Sequence, residues 1–148
     1  MRFFTPNLLT RHRAKCMMLK EPETIAWIEG FAASDLLLDV GKGVGTYTML
    51  AAARGHRVLA VEPEAGNYCL LHRNIALNGF DGIVEAHGVG LGASEGLFKP
   101  HLSTAQIGNS MRHVVRHVIL RDLRSIRHPV RVQLERRWVL SCTLSARF

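Results

Sequence analysis

Cysteine is scarce in this chain, and its three cysteines lie far apart, at Cys16, Cys69 and Cys142. No two of them form the C-x-x-C pair that is typical of zinc sites and thiol redox centres, and an odd number does not suit a disulfide framework. The sequence therefore predicts neither disulfides nor a cysteine-held metal, and we expect a reducing, cytoplasmic setting.

Long apolar runs are also missing. No segment reaches the ~18 consecutive apolar residues that a membrane span needs. The first residues, MRFFTPNLLTRHRAKCMML, lack the charged start, the apolar stretch and the small-residue cleavage site of a secretory signal peptide. We therefore expect no membrane partner.

Lysine and acidic residues are nearly absent from the last third of the chain. All four lysines precede residue 100, and residues 100–148 contain nine arginines against only Asp122 and Glu135. Residues 1–99 hold ten basic and ten acidic side chains, so the whole net charge of +7 belongs to the remainder. This change in composition divides the chain into a first part, residues 1–110, and an arginine-rich tail of uncertain structure, residues 111–148.

Large aromatic residues are rare in that tail, which has only Trp138 and the terminal Phe148. Arginines bind nucleic-acid phosphates by releasing counterions, but base stacking needs aromatic platforms, and no nucleic-acid motif accompanies the charge. Nonspecific adhesion to polyanions is therefore favoured over specific nucleic-acid binding. His113 and His117 have no glutamate or cysteine at ligand spacing, so no metal site is predicted.

Residues 36–62, LLLDVGKGVGTYTMLAAARGHRVLAVE, contain the most informative pattern. A short apolar run that includes Asp39 near its end is typical of a buried parallel strand. It is followed by three alternating glycines, Gly41, Gly43 and Gly45. Such glycines let the backbone turn tightly, leave the N–H groups of residues 43–45 open to a ligand, and start a helix. A second apolar run ends in Glu62, where an acid can accept both ribose hydroxyls of a nucleotide.

Three interpretations of this segment are open. A nicotinamide dinucleotide site needs G-x-G-x-x-G, but the third glycine falls one residue early and Thr46 stands in its place. A strand-to-helix turn without a ligand would make Asp39 a helix-capping or loop-bracing acid. The pattern D-x-G-x-G-x-G followed by an acid resembles Rossmann-like S-adenosylmethionine-dependent methyltransferases, and this third interpretation is favoured. Its candidate cofactor-binding residues are Asp39, Gly41, Gly43, Gly45 and Glu62.

The flanking sequence narrows the resemblance. Glu62, Pro63 and Asn67 match an E-P-x-x-x-N segment, and residues 73–79 match R-N-I-x-L-N-G. With the glycine loop, these segments resemble the FkbM family of methyltransferases over roughly residues 20–110. The resemblance implies S-adenosylmethionine as the cofactor and methyl transfer to an oxygen acceptor, such as a small molecule or a sugar hydroxyl.

The chain departs from the family pattern in two places. Within the loop, Lys42 and Gly43 replace the family's alanine and asparagine, and we expect the lysine to point into solvent. Further on, the family's K-I-D-x-E-G strand, which would line the acceptor side of the pocket, is missing. We therefore expect a frameshift or truncation at about residue 110, and no catalytic base is predicted. The alternatives are a cofactor-binding fragment without catalysis and, less favoured, an arginine-rich nucleic-acid-binding protein.

The predicted fold class is α/β, a Rossmann-like class I methyltransferase fold with an incomplete parallel sheet and helices on both faces. Apolar periodicity and turn residues predict three strands, at residues 36–40, 57–61 and 83–89, and a weaker fourth at 97–102. Helices are predicted at residues 22–31, 45–54 and 64–77. The first should bury Ile25, Ile28 and Trp27, and the third should bury Tyr68, Leu71, Ile75 and Leu77.

Overall fold

The computed structural model describes residues 1–41, 43–90, 107–108, 130–133 and 139–140, the last two ranges by their backbone alone. Their elements follow in the order α1 (Leu8–Lys20), α2 (Pro22–Glu29), β1 (Leu36–Val40), α3 (Thr46–Ala53), β2 (Arg57–Val61), α4 (Ala65–Asn78), β3 (Val84–His87), β4 (Val130–Gln133) and β5 (Val139–Leu140). None of the helices so described is long and apolar enough to cross a membrane.

The strands form one sheet in the order β3-β2-β1-β4-β5. Strand β1 pairs in parallel with β2 on one side and with β4 on the other, and β2 pairs in parallel with β3. Strand β5 runs antiparallel to β4. A central first strand with parallel neighbours on both sides is the Rossmann-like arrangement, in which ligands bind outside the carboxyl ends of the strands. The predicted fold class is confirmed.

The hydrophobic core lies between the sheet and the helices that connect its strands. Leu37 of β1 belongs to one buried cluster with Met49 of α3 and Ile75 of α4. Leu36 and Leu38 alternate to the opposite face of the strand, and they are buried too. Both faces of β1 are therefore shielded from water, as its nearly continuous apolar sequence predicts.

The predicted bounds of the elements in the first ninety residues hold to within about two residues. Helix α2 ends two residues before the predicted Phe31, and the N–H of Gly30 is shared between the Ala26 and Trp27 carbonyls, as is common in the last turn of a helix. Helix α4 ends at Asn78 with Gly79 in the left-handed region, φ 67°, which is the predicted stop. Strand β3 is shorter than predicted, and the weaker strand at 97–102 lies outside the described residues.

Helix α1 is an element that sequence analysis did not predict. Its start is fixed by Asn7, whose Oδ1 accepts a hydrogen bond from the Thr10 N–H at 2.9 Å, while the Asn7 N–H donates to Thr10 Oγ1 at 3.3 Å. This reciprocal cap satisfies two backbone N–H groups at the helix start. The signal was present as N-x-x-T, but the helix lacks an apolar stripe, since only Thr10 and Met17 are buried.

The arginine-rich tail contributes two strands that sequence analysis did not predict. Residues 130–133 lie in register with β1, Val130 opposite Leu36 and Gln133 opposite Asp39. The sequence V-R-V-Q alternates apolar and polar residues, which is a strand signal that the charge of the tail obscured. The division at residue 110 and the proposed frameshift stay predictions.

Candidate functional site

The glycine loop joins β1 to α3 at the carboxyl edge of the sheet. Gly41, Gly43 and Gly45 all have positive φ, at 68°, 59° and 74°, a region that side-chain-bearing residues seldom adopt. A Cβ on Gly45 would collide with Leu71 Cδ1 of α4, whereas one on Gly41 would have no atom within 4 Å. The third glycine thus lets α3 start against α4, and the first leaves open space beside the backbone.

Asp39 joins β1 to the start of α3. It is 2 % exposed, and its Oδ2 accepts hydrogen bonds from the Thr48 N–H at 3.1 Å and from Thr48 Oγ1 at 2.5 Å. Thr48 lies in the first turn of α3, where free N–H groups and the helix dipole stabilise an anion. The bracing role that sequence analysis gave as an alternative for this acid is therefore present, and it fixes the loop from one side.

Glu62 follows β2 directly and fixes the loop from the other side. It is 4 % exposed, its Oε2 accepts the Gly43 N–H at 2.8 Å, and its Oε1 accepts the Glu64 N–H at 3.0 Å. The expectation that the Gly43 N–H is open to a ligand is wrong for this conformation. A buried carboxylate needs donors, and the left-handed turn at Gly43 supplies one.

The pKa of Glu62 is raised above its ordinary range, chiefly because burial disfavours the charged form. The N–H groups of Glu64 and Gly43 and the side chain of Asn67 act in the opposite direction, and the charge of Glu64 adds to the rise. The carboxylate is therefore an acceptor whose charge depends on the hydrogen bonds around it.

A small opening at this edge is lined by residues that include Asp39, Gly43, Gly45, Thr48, Glu62 and Leu71, and its space is about that of one water molecule. Ligand pockets usually measure roughly 300–1,000 Å³. The acceptor atoms suit a ribose hydroxyl, because a carboxylate has about four acceptor positions and Glu62 uses two on backbone N–H groups and one on the Asn67 side chain. The space in this conformation is too small for a nucleoside.

Two asparagines of α4 support the loop, although in the sequence they stand out only as part of the FkbM resemblance. Asn74 is 0 % exposed; its Nδ2 donates to the Val44 carbonyl at 3.0 Å, and its Oδ1 accepts the Phe4 N–H at 2.7 Å. Asn67 is 2 % exposed and lies beside Gly43. Polar residues on the inner face of a predicted helix were the signal, since buried amides need specific partners.

Among the described residues near this edge, neither Tyr47 nor His87 is an evident base. Burial, and then a hydrogen bond to Glu21, raises the pKa of Tyr47 far above its ordinary value, so the phenol keeps its proton at neutral pH. His87 at the end of β3 is half exposed and pairs with Glu85 at 2.8 Å.

The structure does not describe every residue for which sequence analysis makes a prediction. Lys42, His113 and His117 lie outside the described residues. Among the side chains that are described, no three of histidine, cysteine, aspartate or glutamate gather to hold a metal.

No protein-family model matches the chain, and no curated protein matches its sequence. Among solved structures, a geranyl diphosphate methyltransferase in complex with S-adenosylmethionine is similar at 19 % identity and a TM-score of 0.44, over 59 % of this chain and 38 % of its own. The geranyl diphosphate C-methyltransferase of Streptomyces coelicolor A3(2), with Mg²⁺, geranyl diphosphate and S-adenosylhomocysteine, gives 20 % identity and a TM-score of 0.44, over 59 % of this chain and 35 % of its own. The similarity thus spans little more than a third of each neighbour, and the fold assignment depends on the strand order and register of the chain itself.

Proposed function

We propose that residues 1–110 are the cofactor-binding part of an S-adenosylmethionine-dependent methyltransferase. One observation carries the proposal: two buried acids, Asp39 and Glu62, end adjacent parallel strands and flank a loop of three left-handed glycines. An acid at the tip of the second strand is the usual partner of a ribose diol in Rossmann-like sites. The FkbM resemblance supports the same cofactor.

The competing nicotinamide site is less favoured. In the dinucleotide fingerprint the third glycine allows close helix–strand packing. Here Gly45 allows the close contact with Leu71 of α4, one position before the fingerprint's third glycine. The spacing of the glycines therefore favours an S-adenosylmethionine site over a nicotinamide dinucleotide site.

Each residue of the site has a distinct task under this proposal. Asp39 orders the start of α3 through Thr48, Glu62 accepts the ribose hydroxyls, and the backbone at Gly41 and Gly43 approaches the cofactor. The bound cofactor supplies an electrophilic methyl group for a single in-line displacement. Positioning of the acceptor against it then supplies much of the acceleration.

We further propose, from the FkbM resemblance, that the acceptor is an oxygen of a small molecule or a sugar hydroxyl. Such an acceptor usually needs a general base, and we assign that role to none of the described residues. A cytoplasmic setting is proposed from the isolated cysteines, of which Cys16 and Cys69 are free thiols.

A cofactor-binding fragment without catalysis is the second candidate. The small opening favours it, as does the missing K-I-D-x-E-G segment. Binding without turnover would then be the complete activity of the chain. A methyl-transfer assay with hydroxyl-bearing acceptors separates the two candidates, because only the enzyme produces S-adenosylhomocysteine above the acceptor-free background.

Calorimetric titration with S-adenosylhomocysteine tests the proposal itself. We expect micromolar binding by the wild-type chain, loss of binding in the Asp39→Ala/Glu62→Ala double variant, and no displacement by NAD⁺. Leu19→Ala is the matched control, since that side chain is 78 % exposed on α1. A folded wild-type chain that binds NAD⁺ but no S-adenosylhomocysteine would overturn the proposal.

A further inference from the structure

The amide of Asn67 has a fixed orientation. Its Oδ1 accepts the backbone N–H of Gly108 at 2.7 Å, and a carbonyl oxygen only accepts hydrogen bonds. Its Nδ2, the donor end, therefore points the other way and lies 3.7 Å from where a Cβ on Gly43 would be. The same side chain is within hydrogen-bonding reach of the Glu62 carboxylate and stabilises its charged form.

The partner of that Oδ1 is itself held in place. The Ile107 carbonyl accepts a hydrogen bond from Asn7 Nδ2 at 2.9 Å. Gly108 has φ 91° and lies so close to α1 that a Cβ there would be 2.6 Å from Thr10 Cγ2. Ile107–Gly108 therefore packs against the start of α1, and the Gly108 N–H donates its hydrogen bond to Asn67.

The same segment also lies against the start of α4. A Cβ on Gly66 would be 2.9 Å from Ile107 Cγ1, so glycine at this position lets the segment approach the helix. Asn67, the next residue, is 2 % exposed. A buried amide whose oxygen and nitrogen both form hydrogen bonds has little rotational freedom, so its orientation depends on where its partners lie.

We propose that Asn67 is a positioning residue for Glu62: it is oriented by Ile107–Gly108 and directs the Glu62 carboxylate and the Gly43 turn toward the cofactor ribose. This inference rests on the proposed function. It assigns to Ile107–Gly108 a part in cofactor binding, although these two residues lie more than forty residues beyond Glu62 in sequence. Asn67 holds the carboxylate and takes no part in the chemistry.

The test uses Asn67→Asp, which keeps the shape and the acceptor for Gly108 but replaces the donor with an oxygen that repels Glu62. We expect about tenfold or greater weakening of S-adenosylhomocysteine binding, relative to wild type, at pH 8. The two neighbouring carboxyls, beside the charge of Glu64, bind more protons at pH 5.5 than at pH 8, so the ratio of variant to wild-type Kd should be smaller at pH 5.5.

Asn78→Asp is the matched control. It makes the same exchange eleven residues further along α4, about 16 Å away, where Asn78 bonds the backbone of Arg2. We expect its Kd to equal that of wild type at both pH values. Asn67→Ala removes the donor without adding charge and should weaken binding by a similar factor at both pH values, less than Asn67→Asp does at pH 8.

The outcomes are distinct. Wild-type affinity in Asn67→Asp at pH 8, or an equal and pH-independent loss in Asn67→Asp and Asn67→Ala, overturns the positioning role while the proposed function stands. No binding by the wild-type chain overturns the proposed function first. Circular dichroism at each pH shows whether Asn67→Asp is folded. If it is unfolded at pH 8, Asn67→Ala tests the role instead, and binding by Asn67→Ala as tight as that of wild type would overturn it.

Discussion

Replacement of Gly45 by alanine should destabilise the fold through two separable effects. The residue has φ 74°, and the left-handed region costs an L-residue about 1–2 kcal/mol. The new Cβ would also collide with Leu71 Cδ1, and overpacking of a buried contact costs about 1–3 kcal/mol. The expected loss is therefore about 2–5 kcal/mol, a large part of the ~5–15 kcal/mol that stabilises a typical domain.

Gly55→Ala is the matched control, because Gly55 has a similar positive φ, 86°, and no atom within 4 Å of its Cβ position. It should show only the backbone cost of about 1–2 kcal/mol. Urea denaturation followed by circular dichroism gives the free energy of unfolding of each variant. The difference between the two variants, about 1–3 kcal/mol, measures the collision with Leu71.

A double-mutant cycle makes the assignment specific. Leu71→Ala alone should destabilise the fold by about 2–5 kcal/mol, but in the Gly45→Ala background it removes the collision and should cost less by about 1–3 kcal/mol. Equal losses in Gly45→Ala and Gly55→Ala, together with strict additivity in the cycle, would refute the view that Gly45 exists to let α3 start against α4.

Three further predictions concern the acids and the core. Thr48→Val removes the hydroxyl donor of Asp39 and should lower the free energy of unfolding by about 1–3 kcal/mol, whereas Thr48→Ser should keep most of it; urea denaturation measures both. Because burial raises the pKa of Glu62 from its ordinary 4.5, its contribution to stability is full below pH 4.5 and is lost as the pH rises through the folded value. The free energy of unfolding, measured by urea denaturation between about pH 4 and 8, should therefore fall more steeply with rising pH for wild type than for Glu62→Gln. Leu37→Ala, at a side chain that is 0 % exposed, should cost about 2–5 kcal/mol, against less than about 0.5 kcal/mol for the exposed Leu19→Ala, as thermal unfolding can show.

The order of elements from residue 22 to residue 87 could be predicted because each has a strong local signal. Leu36–Val40 is an apolar run closed by glycine, and α4 ends at an Asn-Gly pair. Helix α1 was missed because its signal is a cap without an apolar stripe. Strand β4 was missed because the charge of the tail obscured its apolar–polar alternation, and its pairing with β1 is a long-range contact that the local sequence does not specify.

The meeting of the candidate residues at one edge of the sheet was predictable from the sequence, whereas their hydrogen bonds were not. Asp39, Glu62 and the glycines lie together at one edge of the sheet because the carboxyl ends of parallel strands meet there. Which donor each carboxylate takes depends on backbone φ at Gly43 and on the approach of α4, neither of which a pattern of residue types specifies. The role of Asn67 depends further on Gly108, whose position follows from tertiary packing alone.

The central claim is that Glu62 holds the ribose of an adenosyl cofactor, and displacement of bound S-adenosylhomocysteine by nucleosides tests it most directly. Adenosine and 2′,3′-dideoxyadenosine differ only in the two hydroxyls that Glu62 would accept. The account predicts that adenosine competes at least about tenfold better in the wild-type chain and that this preference disappears in Glu62→Ala. Equal competition by the two nucleosides in the wild-type chain would contradict it.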